Sequence, residues 1–140
     1  MSAESEAVVR RFVEECLNGR NPEVVDELFH PAYVNHAATP DIAADLDGYK
    51  RRIAYMLEGF PDLRLAIEDI FSSGDKVAIR LTTRGTHAND AMGLRATGKR
   101  ASWSAIAIYE VVDGKIQQRW ENRDDLGLMQ QLGAVSMEQS

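Results

Sequence analysis

A change of hydrophobic period near residue 62 limits the folds open to this chain more than any other feature. Up to Phe60 the apolar residues recur at helical spacing, whereas Leu63, Leu65 and Ile67 alternate with Arg64, Ala66 and Glu68. Helices first and strands afterwards is the order of an α+β fold, with N-terminal helices packed on one face of a strongly curved antiparallel sheet. A sheet bent that far encloses a pocket at its mouth.

Within the first part, Val8, Val9, Phe12, Val13, Cys16 and Leu17 predict a helix over residues 3–18, stopped at Asn18-Gly19. Asn21-Pro22 pairs a capping residue with a first-turn proline, so Val24, Val25, Leu28 and Phe29 form a second, short helix closed by Pro31. Residues 32–36 read as a short strand, and Leu46, Tyr49, Ile53, Leu57 and Phe60 as a third helix ending at Gly59 and Pro61. In the second part, Ser73-Gly74-Asp75 turns the chain into a strand from Lys76 to His87. A loop containing Gly93 and Gly98 leads to a long strand from Arg100 to Val112. The turn Val112-Asp113-Gly114-Lys115 is a strong hairpin signal returning through Gln117 to Arg123. Asp124 or Asp125 caps a last helix, Leu126 to Leu132, which Gly133 stops.

A chain of 140 residues with 44% apolar content fits one domain, residues 1–140, able to bury roughly two thirds of its unfolded surface. A net charge of −6 argues against nucleic acid as a partner, and the basic run Lys50, Arg51, Arg52 reads as a solvated helix face. No apolar stretch is long enough for a membrane helix and no signal-peptide pattern opens the chain, so a cytoplasmic protein with no membrane partner is expected. Cys16, the single cysteine, lies in the apolar stripe of the first helix and is expected to be buried and inert.

Three stretches carry a family resemblance: Gly85-Thr86-His87 through Thr97-Gly98-Lys99, then Ile108 through the Asp113-Gly114-Lys115-Ile116 hairpin, and the ending Trp120-Glu121-Asn122-Arg123-Asp124-Asp125-Leu126-Gly127-Leu128-Met129-Gln130-Gln131-Leu132-Gly133. Together with Tyr33-Val34-Asn35-His36 and the first helix, they make the chain similar, over nearly its whole length, to the SnoaL-like polyketide cyclase family of the NTF2-like superfamily. The resemblance implies a cone-shaped α+β barrel around an apolar pocket, a homodimer, and neither metal nor organic cofactor. It leaves the reaction open, because the fold carries several chemistries.

Candidate chemistry follows residue by residue. Asp124, ten residues after Gly114, stands where the cyclases carry a general acid/base, although an aspartate before a helix also makes an N-cap. Tyr33 and Asn35 share a strand face and both can bond a carbonyl or a water. Arg80, Thr82 and Arg84 share one parity; Arg80 resembles the inward arginine of the epoxide-hydrolase relatives, but Thr82 replaces the second carboxylate of their relay. His87 resembles a strand-end histidine that transfers protons or holds structure. Trp103, Ala105, Ala107 and Tyr109 share a face, and the two alanines replace a glutamine and a histidine of the anthracycline cyclases, which implies a larger and more apolar pocket. Trp103 and Trp120 are expected to line that pocket or a dimer seam. The catalytic set is thus Asp124, Asn35, Arg80 and His87, with Tyr33, Trp103, Ala105, Ala107 and Trp120 binding a small apolar or aromatic ligand. The leading reading is a cofactor-independent lyase or isomerase acting on a carbonyl compound. A limonene-epoxide-hydrolase-like hydrolase, or a non-catalytic ligand-binding or dimerisation module, are the alternatives.

Overall fold

A computed structural model describes residues 2–136; Met1 and residues 137–140, the two ends of the expected 1–140 domain, lie outside the described residues. Helix α1 (Ser2–Arg11) widens into a π-helical stretch, Phe12–Asn18, and is followed by α2 (Val24–Leu28), β1 (Phe29–Asn35), α3 (Leu46–Gly59), β2 (Arg64–Ser73), β3 (Lys76–Thr86), β4 (Arg100–Val112), β5 (Lys115–Arg123) and α4 (Asp125–Gln131). The change of period at residue 62 thus falls between the last N-terminal helix and the first long strand. Phe29, expected to end α2, instead opens β1 with extended backbone. No helix among the described residues is long and apolar enough to cross a membrane.

The five strands form one curved sheet in the order β1-β5-β4-β3-β2. Four strands run antiparallel as expected, but β1 joins the edge parallel to β5, so the sheet is mixed. Its hairpin at Asp113 (φ 53°) and Gly114 (φ 76°) has both central residues left-handed, the geometry that lets a two-residue loop follow the twist of its strands. Two bulges bend the sheet: one extra residue, Glu68, in β2 and another, Gln117, in β5.

The first helix lays Val9, Phe12, Val13 and Cys16 on the concave face of the sheet, all fully buried. Burial raises the Cys16 thiol to about 11, so it stays protonated and packs as an apolar group. Aromatic rings fill the junction between helices and sheet, with Phe12 on Phe29 and Phe29 on Tyr33, each pair 4.9 Å apart edge to face. Asn18 closes the free edge of β2. Its Nδ2 donates to the Leu65 carbonyl at 2.9 Å and its Oδ1 accepts from the Leu65 amide at 2.8 Å, copying a strand neighbour. Replacing Asn18 by Ala leaves both Leu65 groups unpaired. It is expected to lower unfolding free energy by about 1–3 kcal/mol with an unchanged denaturant slope, measured by urea unfolding.

Candidate active site

The concave face is built of rows of side chains across the strands. One row runs Ile79, Ala107, Glu121; the next runs Leu81, Ala105, Arg123; a third runs Val77, Tyr109, Arg119 and reaches Asn35 on β1. The extra residue Gln117 sets this phase. Ile116 points inward, and after the bulge the inward positions are Arg119, Glu121 and Arg123 rather than Gln118, Trp120 and Asn122. Ala105 and Ala107 face the core as expected, but the space beside their methyl groups belongs to the long side chains of Arg123 and Glu121 on the adjacent strand. The inner face of β5 is therefore charged, beside the expected alanines.

These side chains form a connected ladder. Arg119, only 6% exposed, donates through Nη1 to Asn35 Oδ1 at 3.1 Å and pairs through Nη2 with Glu121 Oε1 at 2.6 Å. Glu121 Oε1 also takes Arg123 Nη1 at 3.2 Å, and Arg123 Nε reaches Asp125 at 3.2 Å nearer the surface. The Arg119 guanidinium lies 5.0 Å from the centre of the Tyr49 ring and 6.0 Å from that of Tyr109, so ring faces cover what the hydrogen bonds leave. Burial opposes charge on Arg119, but Tyr49 and Glu121 together with Tyr109 and Tyr33 hold its pKa well above the ordinary value. Burial likewise pushes the phenols of Tyr33, Tyr49 and Tyr109 up, which keeps them neutral.

A cavity of about 90 Å³ opens above this ladder. Its apolar wall comes from Ile53, Met56 and Leu57 of α3, Leu63 in the turn that follows and Leu65 of β2; Trp103 and Thr83 close one side, and Asn35, Tyr49, Arg119 and Glu121 form the polar floor. It widens outward into a vestibule of about 460 Å³. Glu121 is the one carboxylate lining the inner cavity among the described residues. The basic run on α3 is not a uniform solvated face: Lys50 pairs with Asp26, Arg51 is exposed, and Arg52 turns into the cavity.

Of the residues expected at the site, Asn35 and Trp103 line the cavity. Tyr33 shares the buried face of β1 with Asn35 but sits behind Tyr49, its ring 5.4 Å away, and its hydroxyl has no partner among the described residues. Asp124 does not join them. It is exposed, its carboxylate accepts the Gly127 amide at 2.8 Å as the cap of α4, and a Cβ at Gly127 would lie 2.2 Å from that carboxylate, so the Asp-Asp-Leu-Gly sequence is a capping unit. Arg80 points out of the convex face and pairs with Asp69 at 2.7 Å, because Leu81 and Thr83 take the inward phase of β3. His87 is fully buried but outside the cavity: Nδ1 meets Thr97 at 3.0 Å, and the ring stacks on Phe60, which itself packs behind Trp103. Trp120, on the outward phase after the bulge, stacks on His36 at 4.9 Å. Arg52, Arg119, Glu121 and Arg123 were not among the expected residues.

A sheet curled over one half-open cavity, apolar on one wall and hydrogen-bonding at its floor, defines a small-molecule-binding α+β cone. The chain belongs to the SnoaL-like polyketide cyclase family, whose model matches residues 7–132. It is 30% identical over 131 residues to an aklanonic acid methyl ester cyclase of Streptomyces peucetius, covering 90% of this chain and 88% of that protein. A nogalonic acid methyl ester cyclase of Streptomyces nogalater is 32% identical over 125 residues, covering 84% of this chain and 90% of that protein. Among solved structures, TsrD from Streptomyces laurentii superposes with a TM-score of 0.86 at 30% identity, covering 95% of this chain and 97% of the other.

If Asp124 serves only α4, its replacement by Ala is expected to cost about 1 kcal/mol in urea unfolding while leaving ligand affinity unchanged by calorimetry. A large loss of affinity at unchanged stability would contradict that role.

Proposed function

We propose that the chain is a cyclase-type enzyme that binds a carbonyl-bearing, largely apolar compound with its reactive end on the polar floor, where Glu121 moves the proton. The observation that carries this reading is the position of Glu121, the carboxylate inside the cavity, on a ladder of two arginines and one asparagine. Both ion pairs engage Oε1, which leaves Oε2 for a substrate. Asn35 has its amide oxygen committed to Arg119 and to the Ala37 amide, so its NH2 is the group it offers to a carbonyl oxygen.

Ring closure then runs in balanced steps. Glu121 accepts the proton from the carbon beside a carbonyl, and the resulting enolate oxygen is held by Asn35 in the field of Arg119. The enolate carbon attacks a second carbonyl of the same molecule, and the new alkoxide takes the proton back from Glu121. Proton transfer moves the negative charge from Glu121 to the enolate inside the same preorganised field, so that field stabilises the charge throughout. The methyl ester cyclases among the relatives favour ring closure as the reaction class.

Replacing Glu121 by Gln keeps size and hydrogen bonding while removing the base. Its kcat/KM for cyclisation of a polyketide β-diketone is expected to fall by about 10²–10⁴-fold, with Asp124→Asn close to native, in a chromatographic product assay. Native activity in Glu121→Gln would overturn the assignment.

We also propose a homodimer through the convex face. There Phe71, Ala78, Ile108 and Trp120 form one cross-strand row, beside Ile106, which is 57% exposed. Sedimentation equilibrium is expected to give twice the chain mass, and Ile108→Glu the single mass; a monomeric native protein at micromolar concentration contradicts the proposal.

A further inference from the structure

Thr39, Ile42, Arg52, Met56 and Arg123 border both the inner cavity and the vestibule, so they form the neck between the two. The charge there is unusual for this chain. Arg52, Arg119 and Arg123 line the inner cavity against one carboxylate, Glu121, an excess of two positive charges in a protein of net charge −6. Arg119 and Arg123 are committed to Glu121. Arg52 has neither an ion pair nor a hydrogen bond among the described residues. Burial first, and then the charge of Arg123, lower its pKa, while Glu121 and the exposed Asp41 act on it without contact.

A half-buried guanidinium beside a second one is destabilised by lost hydration and by repulsion, and an anion placed between them relieves both. Carboxylates match the planar fork of an arginine. The anion now nearest Arg123 on the outer side is Asp125, whose side chain is 53% exposed; pairs so exposed contribute little, so an incoming carboxylate can displace it.

We propose that the neck between Arg52 and Arg123 is a subsite for a carboxylate of the ligand, and that the substrate is accordingly a free acid rather than its methyl ester. The inference rests on the reading of this cavity as the active site. With the acid group held at the neck, the part of the molecule beyond it extends to Glu121 and Asn35, and the remaining bulk occupies the vestibule. Tethering at the neck would also fix which carbonyl meets Glu121, which is how binding away from the reacting atoms aids a ring closure.

The test compares two probes, anthraquinone-2-carboxylate and its methyl ester, by isothermal titration calorimetry with native protein, Arg52→Gln and Glu121→Gln. Native protein is expected to bind the acid at least roughly tenfold more tightly than the ester. Arg52→Gln is expected to remove that preference by weakening the acid alone. Glu121→Gln is expected to keep it, since Glu121 lies beyond the neck and its charge repels the acid. Equal or tighter binding of the ester to native protein overturns the subsite, as does an equal loss for both probes in Arg52→Gln, or no binding of the acid. Retained preference in a Glu121→Gln protein that still cyclises substrate would instead remove the catalytic reading and leave the subsite standing.

Discussion

Arg119 is a guanidinium with almost no access to water, and the concave face is organised around that fact. An isolated buried charge costs several kcal/mol, and it persists only where partners replace the lost hydration. Glu121 supplies the countercharge, Asn35 an acceptor, and Tyr49 and Tyr109 two ring faces. Each partner comes from a different part of the chain: β1, α3, β4 and β5. Holding them together fixes the parallel pairing of β1 with β5, since Asn35 meets Arg119 only in that register. The alanines at 105 and 107 belong to the same solution, because larger residues there would occupy the room that Arg123 and Glu121 need.

The elements were largely legible in the sequence because they depend on local periodicity, caps and turns. The helices at Val8–Leu17 and Leu46–Phe60, the Asp113-Gly114 hairpin and the inward alternation of Trp103, Ala105, Ala107 and Tyr109 all follow from such signals. The parallel edge strand was not, since strand order is set by packing that no short window records. Most of the site was hidden for a sharper reason. Counting parity from Ile116 turns Trp120 inward and Arg119, Glu121 and Arg123 outward, and a single bulged residue at Gln117 reverses all four. Asp124 was readable both as a base and as a cap, and the structure shows it as a cap, with Gly127 leaving the space for its carboxylate.

From floor to mouth the ladder Asn35, Arg119, Glu121, Arg123, Asp125 passes from buried to exposed. Opposite it, Ile53, Met56 and Leu57 of α3, with Leu63 and Leu65, offer only apolar contact until Arg52 at the neck. The cavity thus offers shape and apolar burial along one side and fixed dipoles and charges along the other. The carboxylate inside the cavity comes from the inward phase of β5, whereas Asp124 caps α4 at the surface.

Whether Glu121 rather than Asp124 faces the reacting carbonyl is answered by a crystal structure with a bound β-diketone. A carbonyl oxygen is expected within hydrogen-bonding distance of Asn35 Nδ2, with the acidic carbon against Glu121 Oε2. A diketone seated against Asp124, with Glu121 remote from it, would overturn the assignment of Glu121 as the base.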